Sequence, residues 1–519
     1  MACGFDANAS EATPGSSNNV ALGISANASG SNAGNLAVGW GANASGTGSI
    51  PGFIASSNTA TGYNSNASGD NSFNSAYGVS SKASGISSSN SAFGNAASAS
   101  GDNSFNTATG YSANASGAGS TNTATGNLAD ASGDGANNTA LGNAAHASGN
   151  ASDNIAVGNN ANASGAGTAN IAVGNNSVAT GANSSAVGAG AQALGSQSAA
   201  FGIGSIANGS NSTAAGSGNT VTGNNSGAFG TSQKVTGNGS FGIGDPNTLN
   251  GNGSFVFGDG NSVNAGTVGG TAGFGDNIQV TGSNNIVAST ASAAGSSVFG
   301  SGNTVNATNA VVMGNASTVT GGNGIAIGNG VSVAGANAVA IGTSSSANFS
   351  NSAAIGNGAT VTRANQQAFG TASNTYTMGG VTSAASKAAQ TGPVQLVTSD
   401  AGGNLATSSL AGLGLASTAD VGAINSQLSA INAHLSDLDM RTSRAYTGVA
   451  MAFAIAGVPT LLPTEKFAAT MNWGTFQGGN GLAINGALRV SNNMQLAGGV
   501  AYGVGGNIAG GRVGLRVGW

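Results

Sequence analysis

Few side chains in this sequence could do catalytic or metal-binding chemistry. The 519 residues include two histidines, His146 and His434, one cysteine, Cys3, and two glutamates, Glu11 and Glu465. A single cysteine cannot build a cysteine-ligated zinc site, an iron–sulfur cluster or a disulfide framework. We therefore expect no catalytic residue, no cofactor and no metal site. Cys3 is expected to be an unpaired thiol, with lipid attachment as the alternative.

Three aspartates recur in every second repeat of the chain and raise the question of calcium. Asp70 and Asp102 lie in SGDNSF, and Asp134 lies in SGDGAN. The glycine–aspartate nonapeptide pattern of calcium-binding β-rolls is missing, so we expect solvated carboxylates and no Ca²⁺ site. His146 replaces alanine or asparagine in HASG. The sequence predicts an exposed substitution there, not a ligand.

Charged residues are scarce and unevenly distributed. They make up 5% of the chain, whereas about 25% is usual for a soluble protein, and 92 residues are glycine. Residues 1–362 hold ten acidic residues and only two basic ones, Lys82 and Lys234. Binding of nucleic acid requires clustered lysine or arginine, so we expect no nucleic-acid partner.

A four-residue motif, apolar-Ala-apolar-Gly, repeats through the first two thirds of the chain and is clearest as IAVG. Its glycine recurs every 16 residues from Gly62 to Gly174, every 14 from Gly188 to Gly258, and every 14 again from Gly300 to Gly370. A second glycine follows seven residues later in most repeats, as at Gly69. This spacing is typical of a solenoid coil made of two short strands and two tight turns.

The residues between the glycines alternate in character, as expected for a strand. Ile155 and Val157 share one side and Ala156 the other. We assign the large residues to the coil interior and the alanine column to a side that a neighbouring chain approaches closely. Asparagine and serine should form ladders between about 23 stacked coils, roughly 110 Å long at ~4.8 Å per coil. Coils near Phe349 and Arg363, which replace the second glycine, should be less regular.

After the last repeat, a connector with one short strand near 394–397 precedes a predicted helix. Ser417 and Asp420 have the spacing of a capping box. The apolar residues that follow at steps of four and three are Ile424, Leu428, Ile431, Leu435 and Leu438. This spacing indicates a coiled-coil seam between identical chains, the alternative being an amphipathic helix packed on its own chain. His434, beside the seam, should face solvent, and the apolar stretch 448–458 is too short to span a bilayer.

Residues 465–519 form four segments of about ten residues with strict alternation. Large apolar residues share one side and small or polar residues the other, which is the pattern of outer-membrane barrel strands. The predicted lipid-facing residues include Phe467, Met471, Trp473, Leu515 and Val517. The smallest such barrels have eight strands, so several chains must each contribute four. A soluble four-stranded meander is the alternative.

The sequence resembles the trimeric autotransporter adhesins, specifically the YadA-like branch of type V secretion. NIAVGNNANASG at 154–165 and NAVAIG at 337–342 are similar to the head motif of that family. The resemblance implies a mostly β protein whose head is a left-handed parallel β-roll, followed by a coiled coil and a trimeric twelve-stranded outer-membrane β-barrel. It also implies that Ala450, Ala454 and Gly457 lie in the pore.

The implied domains and partners follow from the same resemblance. They are a head at 1–374, a connector at 375–417, a coiled-coil and pore helix at 418–458, and an anchor at 464–519. The expected partners are two further copies of the chain, the outer membrane, matrix or cell-surface ligands, and the barrel-assembly machinery, which would recognise Trp519.

We therefore expect a non-enzymatic surface adhesin of the bacterial outer membrane. No secretion signal is visible in MACGFDANAS, which has neither a basic start nor an apolar core. Binding could use the coil flank, the N-terminal tip or the register-breaking loops at 39–62 and 258–300.

One alternative is a passive surface solenoid without a specific ligand. Another is an enzyme on a parallel β-helix, which would need carboxylates, basic residues or a histidine clustered at one level of the coil. The head sequence offers no such cluster.

Overall fold

The computed structural model describes residues 1–11, 17–49 and 55–519. Residues 50–54, in the register-breaking loop at 39–62, therefore lie outside the described part. Contacts divide the chain into two compact units, Met1–Thr375 and Tyr376–Trp519.

The first unit is a parallel β-solenoid, which confirms the prediction from the repeat. Its described residues form a 24-stranded sheet and, beside it, a second sheet of 11 two-residue strands. Each strand pairs in parallel with the equivalent strand one coil later, so that Ile155 aligns with Ile171. Elsewhere the second ladder consists of single bridges, from Asn8 to Val178 and from Ser332 to Thr360.

The strands of the first sheet are Ala2–Cys3, Val20–Leu22, Leu36–Val38, Thr59–Thr61, Ser75–Tyr77, Ser91–Phe93, Thr107–Thr109, Thr123–Thr125, Thr139–Leu141, Ile155–Val157, Ile171–Val173, Ser185–Val187, Ala199–Phe201, Thr213–Ser217, Gly227–Thr231, Phe241–Gly244, Phe255–Phe257, Gln279–Thr281, Ser297–Phe299, Val311–Met313, Ile325–Ile327, Val339–Ile341, Ala353–Ile355 and Gln367–Phe369. The strands of the second sheet are Val178–Ala179, Gln192–Ala193, Ile206–Ala207, Thr220–Val221, Lys234–Val235, Thr248–Leu249, Ser262–Val263, Ile286–Val287, Thr304–Val305, Thr318–Val319 and Ser332–Val333.

Each regular coil turns twice, and each turn begins at one of the regularly spaced glycines, which we call the grid glycines. Gly62 has a φ of +134°, and a Cβ at this position would overlap the carbonyl oxygen of Gly78 in the next coil. The second glycine of the coil, Gly69, is stacked in the same way. Two residues after these glycines the backbone is left-handed, with φ of 51° at Asn64 and 54° at Asn71. Glycine is therefore required by close stacking, while asparagine tolerates the left-handed position.

The interior of the narrow coils is filled by alanine, so the predicted orientation of the strands is wrong. Ala156 and Ala172 are fully buried, whereas Ile155 points outwards and is 37% exposed. The coils stack with so little interior width that the small side of each strand must face inwards. From Val221 to Val333 valine takes over most interior positions, so the coil interior admits larger side chains there.

Buried asparagines stack as a ladder inside the coils, as the sequence predicts. The Oδ1 of Asn106 accepts hydrogen bonds from the Asn122 backbone N–H at 3.0 Å and the Ser120 hydroxyl at 2.8 Å. Its Nδ2 donates to the Gly117 carbonyl oxygen at 2.8 Å. Polar groups that would be costly to bury unpaired are thereby satisfied without charges.

The second unit begins with short elements. A helix spans Ala384–Ala389, and Leu396–Ser399 pairs with Leu405–Ser408 in a hairpin, where the sequence predicts a single strand. A 3-10 turn, Ala411–Leu413, precedes the long helix Thr418–Ala456.

The long helix begins at the predicted capping box. The Ser417 backbone N–H donates to Asp420 Oδ2 at 2.8 Å, and the Asp420 backbone N–H donates to Ser417 Oγ at 3.2 Å. No helix among the described residues is long and apolar enough to cross a membrane.

The chain ends in a four-stranded antiparallel sheet, as predicted. Its strands are Phe467–Phe476, Gly479–Ser491, Met494–Val504 and Ile508–Val517. The C-terminal half of the long helix packs on one face of this sheet, where Ala450 and Ala454 are buried. Glycine permits this close approach, because a Cβ at Gly474 would overlap the backbone of Ala450.

Candidate functional site

An exposed apolar stripe runs along the outward face of the first sheet. The stripe consists of the residues just before the grid glycines, many of them large. Its members that are 40–60% exposed include Phe201, Phe229, Ile243, Phe257, Phe299 and Met313. Tyr77 and Phe93 in the same column stack with ring centroids 5.1 Å apart. An apolar surface of this extent is typical of a surface that binds another protein or a copy of itself.

The recurring aspartates pair with backbone groups and are not simply solvated as predicted. Asp102 Oδ1 accepts a hydrogen bond from the Ile86 backbone N–H at 2.8 Å, and Asp134 Oδ1 accepts one from Ala118 at 2.8 Å. Each carboxylate thus caps an exposed N–H of the preceding coil. The described residues contain no group of three histidine, cysteine or acidic residues that could hold a metal ion.

A shallow polar groove of about 630 Å³ lies along this edge of the solenoid. Serines stacked one coil apart line it, from Ser68 through Ser84 and Ser100 to Ser116, together with Asp102 and Asp134. We call this row and its continuation through the next coils the serine column. Its hydroxyl and carboxylate groups suit a polar, extended molecule better than an apolar one.

His146 is exposed, as predicted, but it has two side-chain partners that sequence reasoning missed. Its Nδ1 lies 3.6 Å from Asp130 Oδ2, and its Nε2 lies 3.0 Å from Ser148 Oγ. The carboxylate comes from the preceding coil, so the contact joins two neighbouring levels of the head. The signal was present in the sequence, because Asp130 and His146 are 16 residues apart, which is one coil of this block.

The predicted coiled-coil seam is uncovered along the single chain. Ile424, Leu428, Ile431, Leu435 and Leu438 are each 54–63% exposed. His434 lies on the same exposed part of the helix. An apolar row left this open does not pack on its own chain in the described structure.

The C-terminal sheet has two chemically different faces. The face against the helix buries Ala483, Ala487, Ala501 and Asn485. The opposite face carries the predicted lipid-facing residues, and Phe467, Met471, Trp473, Leu515 and Val517 are all more than half exposed. Trp519, the last residue, is fully exposed.

Amide and hydroxyl groups of the sheet hold the C-terminal end of the long helix. Thr470 Oγ1 and Asn472 Nδ2 donate to the Gly457 carbonyl oxygen at 2.8 and 2.6 Å, and Asn485 Nδ2 donates to that of Ala454 at 3.2 Å. Carbonyls at a helix C-terminus run out of intrahelical donors, and that of Ala454 otherwise accepts only from the Gly457 backbone N–H at 3.4 Å among the described backbone groups. On the same face, Arg489 Nη2 donates to the Leu462 carbonyl oxygen at 3.0 Å.

A comparison with protein families gives one match, to the solenoid. The family described as the YadA head domain repeat matches residues 36–50, 59–73, 91–105, 171–191, 193–212, 306–330 and 334–359. No curated protein matches the chain significantly. The matched segments lie in 16-residue coils as well as 14-residue coils, and the coils at 106–170 and 213–305 are not matched.

Proposed function

We propose that this chain, whose head repeats, parallel solenoid and C-terminal sheet fit a YadA-like trimeric autotransporter adhesin, is anchored in the bacterial outer membrane and mediates attachment through its head. YadA-like adhesins form homotrimers at the cell surface and are non-enzymatic. The observation that carries the proposal is the two-faced C-terminal sheet with a helix against its small-residue face.

Three copies of the sheet would close into a twelve-stranded barrel. Among the described strands, Phe467–Phe476 and Ile508–Val517 each pair with one neighbour only, so the sheet has two open edges. Open edges are not tolerated in the hydrocarbon layer, and pairing with the edges of two further copies removes them. The exposed apolar face would then contact lipid, and the face with Ala483 and Asn485 would line the lumen around the helices.

The remaining uncovered apolar surfaces of the chain fit the same homotrimer. The seam from Ile424 to Leu438 would be buried between three parallel helices. In the head, the outward apolar stripe, and not the alanine column, would contact the neighbouring copies. Trp519 would serve as the terminal aromatic that the barrel-assembly machinery recognises.

The head would present a repetitive polar surface for attachment. Each coil repeats the same asparagine and serine positions, and three copies multiply them. Many weak contacts of this kind reach high avidity without any single deep pocket. Extracellular matrix and cell-surface molecules are the ligands that this arrangement would serve.

Deletion of residues 465–519 tests the anchor directly. We expect the truncated chain to be lost from the surface of intact cells, measured by protease shaving or antibody labelling. A deletion confined to the hairpin 396–408 is the matched control and should keep display. Truncated protein on intact cells would contradict the anchor. Displayed full-length protein that binds no matrix or cell surface would favour a passive solenoid.

A further inference from the structure

His146 occupies a column that carries asparagine in most coils, with Lys82, Ser98, Asp130 and Val178 in others. Single parallel bridges connect Asn114, Asp130, His146 and Asn162, one residue from each successive coil. Their side chains therefore stack at the coil spacing of about 4.8 Å. This spacing brings an imidazole against a carboxylate at one place in the head.

The carboxylate of Asp130 is held on one oxygen and open on the other. Asp130 Oδ1 accepts hydrogen bonds from Asn114 Nδ2 at 3.2 Å, from the Ser132 backbone N–H at 3.0 Å and from Ser132 Oγ at 2.7 Å. Asp130 Oδ2 lies 3.6 Å from His146 Nδ1. At this distance, which is beyond a hydrogen bond, the carboxylate acts on the imidazole through its negative charge.

The other ring nitrogen of His146 meets a serine hydroxyl. His146 and Ser148 are two residues apart on an extended segment, so their side chains share the outward side while Ala147 is fully buried between them. Nε2 and Ser148 Oγ are 3.0 Å apart, within hydrogen-bond reach. The side chain of His146 is 46% exposed, so molecules from solvent can reach the pair.

We propose that Asp130, His146 and Ser148 form an acyl-transfer site in which Ser148 is the nucleophile. A serine hydroxyl in contact with a histidine that has a carboxylate on its other side is similar to the arrangement that activates serine in hydrolases of unrelated fold. The non-enzymatic role of YadA-like adhesins does not account for it. Asp130 is a positioning residue here, since it acts through His146.

The reaction at this site is attack on a carboxylic ester. Ser148 Oγ bonds to the carbonyl carbon while its proton passes to His146 Nε2. The ester C–O bond then breaks, and the alcohol leaves with the proton from His146. The acyl group remains on Ser148 until water attacks the same carbon and passes a proton to His146 Nε2. His146 returns this proton to Ser148 Oγ as the acyl C–O bond breaks, which releases the acid and the free serine.

The polar groove indicates the class of ester. Ser148 continues the serine column beyond Ser116, since the Ser116 carbonyl bonds to Gly133 N and the Ser132 carbonyl bonds to Gly149 N. A molecule lying in the groove would thus extend towards Ser148. The groove carries hydroxyls and carboxylates, so the fitting substrate is an acyl ester of an extended, polar and uncharged or cationic alcohol.

A fluorophosphonate probe on the full-length protein tests the proposal. The probe phosphonylates activated serines with loss of fluoride, and peptide mass mapping identifies the serine that reacts. We expect Ser148 to be labelled at least about 10²-fold faster than in a His146→Asn variant, the range that general-base assistance supplies. Asparagine is the residue of this column at Asn114 and Asn162, so the variant should fold.

Ser164 provides the matched control. It is the equivalent serine one coil later, and its hydroxyl donates to Asn162 Oδ1 at 2.8 Å instead of contacting a histidine. Ser164→Ala should leave labelling unchanged, and Ser148→Ala should abolish it. Asp130→Asn should slow p-nitrophenyl acetate turnover through kcat, with KM unchanged. Equal labelling of Ser148 and Ser164, or labelling that survives His146→Asn, would overturn the proposal.

Discussion

At the residue scale, most regular coils have two glycine positions at which the stacking of the coils leaves no room for a side chain. At most grid glycines from Gly62 to Gly342, a Cβ would overlap the backbone of the next coil. The sequence predicted the turns from the spacing of the glycines. It did not predict which side of the strands faces inwards, because alternation alone is symmetric and the interior width appears only once the coils are stacked.

A glycine substitution series tests this close stacking. Gly85→Ala places a methyl group against the Gly101 carbonyl, so it should cost well above the ~1–2 kcal/mol of a left-handed residue alone. Gly119→Ala is the control, because its Cβ would meet no atom within 4 Å and Ala151 occupies the equivalent position two coils later. Thermal unfolding followed by circular dichroism should show a clear loss for Gly85→Ala and a small one for Gly119→Ala. Equal losses would contradict the stacking argument.

At the element scale, the long helix is defined at both ends by side chains. The capping box at Ser417 was legible in the sequence, because it is a local pattern. The contacts at the other end were not, since Asn472 and Asn485 come from strands that follow the helix and reach it only in the folded unit. The contact of His146 with Asp130 was also missed, because the two residues are distant in sequence and become neighbours only when the coils stack with a period of 16 residues.

The helix start should depend on pH. Hydrogen bonds from the Ser417 side chain and backbone lower the pKa of Asp420 below its ordinary value of 3.8. A lowered pKa in the folded state means that this contribution is complete above about pH 4 and is lost as the pH falls through the lowered value. Amide hydrogen exchange in the first helical turn, corrected for its intrinsic pH dependence, should therefore accelerate on acidification. In the Asp420→Asn variant this acceleration should disappear. If the acceleration persists in the variant, a group other than Asp420 causes it.

At the scale of the whole molecule, the described part of a single chain leaves three apolar surfaces uncovered. They are the outward stripe of the head, the helix seam and one face of the C-terminal sheet. The sequence predicted the helix seam and the apolar face of the sheet, because both follow from local patterns. Apolar residues recur about every 3.5 residues in the helix and every second residue in the strands. The head stripe was predicted to lie inside the coil, and the structure exposes it on the outward face of the solenoid.

A charge in the head stripe tests that interface. Phe257→Asp should place an unpaired carboxylate between chains and cost about 3 kcal/mol or more per chain. Asn315→Asp, on the polar edge of the solenoid, adds the same charge outside the stripe and should cost little. Limited proteolysis of the displayed protein should release head fragments faster from Phe257→Asp only. Faster release from both variants would point to charge in general and not to the stripe.

The oligomeric state of the detergent-extracted, full-length protein tests the central claim most directly. We expect a trimer that resists heating in detergent. Its three chains would share one barrel, one coiled-coil seam and the contacts along the head stripe. Chemical cross-linking followed by electrophoresis with and without boiling measures this. We predict a trimer band that persists at temperatures that unfold ordinary soluble domains. A clean monomer without boiling would contradict the account.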